Sequence, residues 1–212
     1  FNDGGFQLTS TGTLNLASGT FKLGSAGTAT TFPAFGTINI SAGTTVEYTA
    51  GVAQTVSSTP NYHNLTVSSG SSKTIGGAVN VNGNLTIGTG TTLDVSTSNH
   101  SMIVKGNWSN SGTFTARSGT VTLGGLTTQT ISGSATTSFF NLTVNNVNGV
   151  TLSNNPTVSG TLTLTSGIIA TGANTLIIAT GGSISGGSNS NYVKGNLQKA
   201  FNSGAGQSFT FI

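Results

Sequence analysis

Polar and apolar residues alternate along most of the chain with a period of two. Residues 13–16, 37–40, 84–87 and 161–165 each carry Leu or Ile at every second position, with Thr or Asn between them. Successive side chains of a β-strand point to opposite sides, so this alternation is typical of a strand with one buried face. The pattern predicts an all-β protein built from short strands.

Short pairs that contain glycine separate the alternating runs, as at Ser18-Gly19, Ala42-Gly43 and Ser118-Gly119. Such pairs are typical of tight turns, because glycine tolerates the positive φ angles that many turns require. No region needs a helix to explain its pattern.

The sequence also repeats itself. Residues 64–67 (Asn-Leu-Thr-Val) recur at 141–144, and aligning 64–87 with 141–164 gives nine identities in 24 positions. Residues 104–107 (Val-Lys-Gly-Asn) recur at 193–196, so Lys105 and Lys194 are the charges that both copies share. We interpret these two residues as strand-end lysines that discourage unwanted edge pairing. The internal repeat covers residues 41–110 and 117–199.

A shorter period lies within this repeat. Leu65 precedes Leu85 by 20 residues, and Leu142 precedes Leu162 by the same number. Units of this length with several short strands and no helix are typical of stacked coils. We therefore predict a right-handed parallel β-solenoid, or β-helix, with rungs of roughly 20–30 residues, continuous over residues 1–212. Tandem β-sandwich domains are the alternative, since short strands with frequent turns also describe them.

Charge is scarce throughout the chain. Six Lys and Arg and three Asp and Glu residues make it 4% charged, whereas an ordinary globular protein is roughly 25% charged. Thr, Ser, Asn and Gly together supply 121 of the 212 residues. In a stack of similar rungs, columns of Thr, Ser or Asn can hydrogen-bond where columns of like charge would repel. The composition therefore fits a solenoid and predicts polar ladders along its outer surface.

The same composition excludes several classes of partner. So few basic side chains cannot form the patch that nucleic-acid binding needs. The absence of cysteine excludes disulfides and thiolate metal sites, and no run of 18 apolar residues could span a bilayer as a helix. We expect neither a nucleic-acid partner nor a membrane-spanning segment.

Candidate catalytic groups are few. Hydrolysis of a glycosidic bond needs two carboxylates across that bond, and the chain has only Asp3, Glu47 and Asp94. None of them recurs in the second copy of the repeat, so we predict solvated turns or outward strand positions for all three. We expect no catalytic residue and no enzymatic activity.

The positions of the two histidines in the sequence do not indicate a metal site. His63 aligns with Phe140, and the preceding Tyr62 aligns with Phe139, which indicates that rings pack at a corner of the coil. His100 lies in a polar turn without a second ligand nearby, and zinc needs three or four ligands. We predict no metal and no cofactor.

Two binding functions remain as alternatives to a purely structural role. A carbohydrate-binding or carbohydrate-degrading β-helix would use surface aromatic residues, for which Tyr48, Trp108 and Tyr192 are the candidates. An ice-binding protein would use a regular Thr-x-Thr face, and the chain carries Thr-x-Thr at 113–115, 120–122 and 161–163. The Thr-x-Thr motif does not recur in every rung of the sequence.

Several motifs resemble the β-helical repeat regions of very large secreted bacterial surface proteins. They are Gly-Asn-Leu-Thr-Ile (83–87), Gly-Thr-Leu-Thr-Leu (160–164), the two Asn-Leu-Thr-Val segments and Tyr-Val-Lys-Gly-Asn-Leu (192–197). The regions that these motifs resemble include filamentous adhesins and cell-surface repeat proteins of the Bacteroidota type. The resemblance implies export, an extracellular or cell-surface location, and a structural or adhesive role without catalytic residues.

These observations lead to a functional prediction. We expect a segment of an extracellular fibre or adhesin that associates end to end with copies of itself or with adjoining solenoid segments, and surface glycans are a further candidate partner. The chain starts without methionine and ends in an alternating run at 208–212. We interpret it as a fragment of a longer secreted protein.

Overall fold

The computed structural model describes residues 1–202, and every regular element in this part of the chain is a β-strand. The 208–212 run, interpreted above as a continuing strand, lies outside the described residues. In chain order the strands are β1 (Thr9–Leu16), β2 (Thr20–Leu23), β3 (Ala34–Ile40), β4 (Thr45–Tyr48), β5 (Gln54–Val56), β6 (Asn64–Val67), β7 (Ser72–Ile75), β8 (Val79–Val81), β9 (Leu85–Ile87), β10 (Thr92–Asp94), β11 (Met102–Val104), β12 (Trp108–Asn110), β13 (Thr113–Thr115), β14 (Thr120–Leu123), β15 (Gln129–Ser132), β16 (Ser138–Phe139), β17 (Asn141–Asn145), β18 (Val150–Leu152), β19 (Thr157–Val158), β20 (Thr161–Ser166), β21 (Ile169–Ile178), β22 (Ser183–Ser185) and β23 (Val193–Lys199).

The chain coils so that its strands lie on three sides, which it visits in a fixed order. Side 1 contains β2, β4, β6, β9, β12, β15, β18 and the beginnings of β21 and β23. Side 2 contains β5, β7, β10, β13, β16, β19 and the ends of β21 and β23. Side 3 contains β8, β11, β14, β17, β20 and β22. Near the beginning of the chain, β1 and β3 form a separate two-stranded sheet.

All pairings between these named strands are parallel, and each joins one rung to the next. Paired positions on side 1 lie between 19 and 25 residues apart, as from Val46 to Leu65 and from Phe21 to Val46. The described residues complete about nine turns, which at about 4.8 Å per rung gives a stack on the order of 40 Å long. The predicted parallel β-solenoid is confirmed, with rungs at the short end of the expected range, and the alternative of β-sandwich domains is wrong.

The core consists of columns of inward side chains that stack from rung to rung. On side 1 one column runs through residues that are at most 2% exposed, namely Phe21, Val46, Leu65, Leu85, Trp108 and Ile131. The polar positions between them point outward, as the period of two predicts. Burial of these apolar columns is the main force that holds the rungs together.

The two copies of the sequence repeat do not lie on the same side of the coil. Asn64–Val67 forms β6 on side 1, whereas its match at 141–144 lies in β17 on side 3. The next strands shift in the same way, since β7 on side 2 aligns with β18 on side 1. Inward positions still align with inward positions, as Leu65 with Leu142. One copy is therefore rotated against the other by one side of the coil.

Candidate functional site

The structure removes two of the three proposed glycan-contact residues from the surface. Tyr48 and Trp108 are both 0% exposed, because each occupies an inward position of its strand. Trp108 packs against Phe114 and Phe139, with ring centroids 4.8 and 5.1 Å away. These aromatic side chains build the core, and a surface glycan cannot reach them.

The polar atoms of these buried rings have partners inside the coil. The hydroxyls of Tyr48 and Tyr62 lie 2.7 Å apart, and they bind the backbone N–H and carbonyl of Ser57. Burial raises the pKa of Tyr48 and of Tyr62 well above the ordinary value for tyrosine. The indole N–H of Trp108 donates to the hydroxyl of Thr137 at 3.0 Å. Both networks satisfy buried polar groups and need no ligand.

Tyr192 alone of the three is partly exposed, and it borders a groove of about 760 Å³ at the last described rungs. The wall of this groove is mainly apolar, with Leu164, Ile184 and Leu197 beside Tyr192. Ser188 and Asn189 contribute polar groups to its lining. Such a surface offers a ring and aliphatic side chains for stacking and few directional contacts for a specific ligand.

The carboxylates do not come together at one site. Glu47 faces outward on side 1, where the Nζ of Lys22 lies 3.3 Å away and the hydroxyl of Ser68 donates at 2.7 Å. Asp94 lies on side 2 and pairs with Arg117. Their outward positions agree with the sequence prediction, although the sequence did not indicate that each has a cationic partner on an adjacent rung. Among residues 1–202 no three His, Cys, Asp or Glu side chains group as metal ligands.

The prediction for Asp3 was wrong, because this carboxylate is 6% exposed rather than solvated. Its oxygens accept hydrogen bonds from the backbone N–H groups of Gly5 and Gly24 and from the hydroxyl of Thr30. Asn2 forms a bridge with Lys22, which brings the first residues of the chain alongside β2. An outward position is therefore available to Asn2 and not to Asp3.

His63 lies at a corner of the coil, as its alignment with Phe140 indicates. Its Nδ1 accepts a hydrogen bond from the backbone N–H of Gly43 at 3.1 Å. The neighbouring Tyr62 and the aligned Phe139 are both 0% exposed, so a core ring precedes each corner. His100 is half-buried, and its backbone N–H donates a hydrogen bond to the carbonyl of Val95, which closes a turn.

The two lysines of the Val-Lys-Gly-Asn motif are both exposed but occupy different places. Lys105 follows β11, which has β8 on one side and β14 on the other, so it does not protect an open edge. Lys194 lies within β23 on side 1. The interpretation of Lys105 as an edge lysine is therefore wrong.

The structure contains a buried cation that was not predicted from the sequence. Lys73 is 0% exposed, and its ammonium donates to the carbonyls of Ala50 at 2.6 Å and Gly70 at 2.8 Å. Burial lowers its pKa. The alternation could have revealed this residue, because Lys73 falls in the same phase as the inward Ile75.

A matched pair of buried glutamines was also overlooked. Gln54 begins the strand Gln-Thr-Val, and Gln129 begins the strand Gln-Thr-Ile. The side-chain oxygen of each glutamine accepts a hydrogen bond from the backbone N–H of the residue four positions earlier. The side-chain N–H groups donate to backbone carbonyls of the previous rung, which for Gln129 are those of Val104 and Gly106. These amides fix the corner loops and are structural.

The expected polar ladders are present on the outer surface. At the corner before side 1, the side-chain oxygen of Asn64 accepts from the backbone N–H of Asn84, Asn84 accepts from Asn107, and Asn107 accepts from Thr130. These bonds are 2.8–2.9 Å long and follow the axis of the stack. The ladder gives the surface a regular, uncharged character.

Glycine makes room for this ladder. A Cβ on Gly83 would lie 2.5 Å from the side-chain oxygen of Asn64, and a Cβ on Gly160 would lie 2.6 Å from that of Asn141. These two glycines are aligned in the two copies of the repeat, although they lie before different sides of the coil. The glycine of each Gly-Asn or Gly-Thr pair therefore leaves space for a hydrogen bond from the next residue to an asparagine of the previous rung.

No helix among the described residues has the length and apolar character that crossing a membrane requires. Comparisons with protein-family models, with curated proteins and with solved structures find no match to this chain.

Proposed function

We propose that the chain is a structural segment of an extracellular bacterial fibre or adhesin, and that it acts as a stiff, non-catalytic rod. The observation that carries this proposal is the unbroken path of parallel strands on side 1, from β2 to β23. Such a path transmits load through hydrogen bonds and a continuous apolar core. The extracellular and bacterial parts of the proposal rest on the resemblance of its motifs to secreted surface repeats.

Self-association is part of this proposal. The outermost strand of a parallel stack carries unpaired backbone groups, and such a strand edge can accept a further strand from an adjoining solenoid segment or from another copy. We expect copies to join head to tail, because the two ends of a parallel stack are complementary rather than identical.

Electron microscopy and sedimentation over a wide concentration range test this function. Elongated particles that lengthen with concentration are the expected result. A monodisperse monomer at every concentration would contradict self-association, and release of reducing sugar from polysaccharides would contradict the non-catalytic role.

Carbohydrate binding is the alternative, and of its three candidate residues Tyr192 borders a surface groove. A glycan array probes it directly. Binding that Tyr192→Ala abolishes would favour this alternative, and an array without hits would dismiss it.

Ice binding is a second candidate, and the outer surface of side 3 favours it. Over four consecutive rungs its two outward columns contain only Thr, Ser and Asn, namely Thr120, Asn141, Thr161 and Ser183 in one and Thr122, Thr143, Thr163 and Ser185 in the other. The columns lie about 6.6 Å apart and the rungs about 4.8 Å apart. Hydroxyl contacts of 3.2 Å between Thr161 and Ser183 and 3.3 Å between Ser185 and Thr163 hold the rows in register.

An uncharged array of hydroxyl and amide groups with fixed spacing in two directions can hold water molecules in a regular arrangement like that of ice. This array was not evident from the sequence, because Asn141, Ser183 and Ser185 replace threonines of the Thr-x-Thr motif. Thermal hysteresis measures the activity. Thr143→Glu should abolish it, whereas Thr86→Glu at an outward position of side 1 should not. Absence of hysteresis in the wild-type protein would contradict the candidate.

A further inference from the structure

Two aliphatic side chains project from neighbouring loops at the corner that leads from side 3 to side 1. Leu126, between β14 and β15, is 86% exposed, and Val147, between β17 and β18, is 77% exposed. The paired positions Gln129 and Val150 follow them at equal distances along the chain, so Val147 lies one rung after Leu126. Because β15 and β18 are each paired on both sides, this exposure is a property of the middle of the stack.

Hydrogen bonds between the two loops hold these side chains outward. The side-chain N–H of Asn148 donates to the carbonyl of Leu126 at 2.8 Å, and the hydroxyl of Thr128 donates to the carbonyl of Asn148 at 2.9 Å. The side chain of Asn146 donates to the carbonyl of Thr127 at 2.8 Å and accepts from the backbone N–H of Asn148 at 2.9 Å. The polar side chains thus fix the two loops to each other and leave the two aliphatic side chains in solvent.

Two exposed lysines border the same corner, one on each side of these loops. Lys105 follows β11 on the rung before Leu126, and Lys194 lies in β23, two rungs after Val147. Lys194 also lines an open groove of about 280 Å³ together with Val147 and Ile168. The Val-Lys-Gly-Asn motif that the sequence repeats therefore places a cation at each end of an apolar stripe, which runs along the axis of the stack for about 19 Å.

The charge of this stripe is not compensated within the chain. Among residues 1–202, neither of these two lysines forms a salt bridge. The carboxylates of Glu47 and Asp94 are paired with Lys22 and Arg117, and that of Asp3 is buried. A partner that complements the stripe is therefore both anionic and apolar.

A second copy of this chain does not fit this description. Two such stripes laid side by side, in either direction, bring lysine against lysine, and like charges repel. Leu126 and Val147 also cover far less than the roughly 800 Å² per partner that a stable protein interface buries. A partner with negative charges above a broad apolar layer matches both features of the stripe.

We propose that the stripe formed by Lys105, Leu126, Val147 and Lys194 is a docking surface for an anionic lipid bilayer. Its lysines contact the negative headgroups while its aliphatic side chains enter the apolar layer beneath them. A bilayer receives projecting side chains anywhere on its surface, whereas a protein partner needs a pocket for each of them. Because the stripe follows the axis of the stack, the rod lies flat on the bilayer. This inference does not depend on the end-to-end association proposed above.

Cosedimentation with lipid vesicles tests the inference. The wild-type protein should sediment with vesicles of mixed phosphatidylglycerol and phosphatidylcholine, and less with phosphatidylcholine alone, and added salt should weaken its binding to the anionic vesicles. The double variant Leu126→Ser, Val147→Ser should bind at least roughly tenfold more weakly, because it loses the side chains that enter the apolar layer. Val52→Ser alters a partly exposed valine at a different corner and is the matched control, with no expected effect.

The lysines are tested in the same assay. Lys105→Gln and Lys194→Gln should each weaken binding by roughly fivefold. Lys22→Gln removes the same charge from a distant rung and should have little effect. Circular dichroism shows that each variant is folded.

Failure of the wild-type protein to sediment with the anionic vesicles at low salt would overturn the inference, and so would undiminished binding by the Leu126→Ser, Val147→Ser variant. Side-by-side dimers in the absence of lipid, detected by sedimentation velocity and lost in that variant, would identify a second copy as the occupant and would also overturn it.

Discussion

Arg117 forms a two-point ion pair with Asp94, its neighbour 23 residues earlier on the preceding rung. The Nε of Arg117 lies 2.6 Å from one carboxylate oxygen and its Nη2 lies 2.7 Å from the other. Two of the three side-chain carboxylates thus pair with a cation on an adjacent rung, since one oxygen of Glu47 lies 3.3 Å from the Nζ of Lys22 on the rung before it. In a stack with so few charges, rung-to-rung pairing keeps like charges out of the same column.

We predict that Arg117→Ala lowers stability at neutral pH and has no effect in acid. Hydrogen bonding from Arg117 lowers the pKa of Asp94. The charged carboxylate therefore stabilises the fold above the pKa of an unfolded aspartate, and this contribution disappears as pH falls through the lower folded-state value. Urea midpoints of the two proteins should differ at pH 7 and converge towards pH 2. A constant difference between the midpoints over this pH range would show that the ion pair with Asp94 is not the cause. Arg117→Lys should lower stability at pH 7 less than Arg117→Ala does, because it keeps the charge but loses the two-point geometry.

Lys73 should make stability rise with pH in alkaline solution. Because burial lowers its pKa, the unfolded chain binds the proton more tightly than the folded chain does. Stability then increases as pH rises from the lowered folded-state pKa to the unfolded-state value. Lys73→Met keeps a long unbranched stem and should remove this rise.

Urea midpoints between pH 7 and pH 11 measure the effect, with Lys105→Met as the control at an exposed position. A rise in Lys73→Met equal to that of the wild type would show that another group is responsible.

Gln129→Ala should destabilise the fold by about 2–4 kcal/mol, because it removes the partner of the buried N–H of Gly125 and one hydrogen bond to each of the carbonyls of Val104 and Gly106. Gln54→Ala should cost a similar amount through the corresponding contacts of the first copy. The exposed Gln198 supplies the control, and Gln198→Ala should change the free energy of unfolding by less than about 0.5 kcal/mol. Equal effects at all three positions would rule out the role assigned to the buried amides.

Gly160→Ala and Gly83→Ala should each cost about 1–3 kcal/mol, since the new Cβ meets the asparagine oxygen of the previous rung. Gly27 has open space around its Cβ position and no positive φ. Gly27→Ala should therefore be neutral or stabilising by up to about 1 kcal/mol. Chemical denaturation of the three variants checks this contrast, and a destabilised Gly27→Ala would mean that loss of glycine itself, rather than crowding, is the cause.

Much of the fold could be predicted because alternation records which side chains point inward. Leu65, Leu85, Leu142 and Leu162 were placed at inward positions by the period of two, and all four are 0% exposed. The polar ladders follow from the same logic, since like residues recur at intervals of one rung. Residue type, by contrast, misled the assignment of Tyr48 and Trp108, because an aromatic ring suits a sugar and a core equally well.

Ion pairs and buried polar contacts were harder to predict. Lys73 and Asp3 lie at inward positions, but a charged residue in a polar stretch is more often exposed. Their burial depends on donors and acceptors from other rungs, such as the carbonyl of Ala50 and the N–H of Gly24. Those partners are distant in the chain, and only the stacking of rungs brings them within reach.

The amino-acid sequence by itself determined the strands, their inward faces, and the stacking of short rungs into a parallel coil. It did not determine the side of the coil on which each strand lies. β17 is the eleventh strand after its repeat β6, and eleven is not a multiple of the three sides. The second copy is therefore displaced by one side, and Asn-Leu-Thr-Val faces two different directions. Hydrophobic periodicity distinguishes inward from outward side chains. The side of the coil on which a strand lies depends instead on how many strands precede it, and only the tertiary structure shows this number.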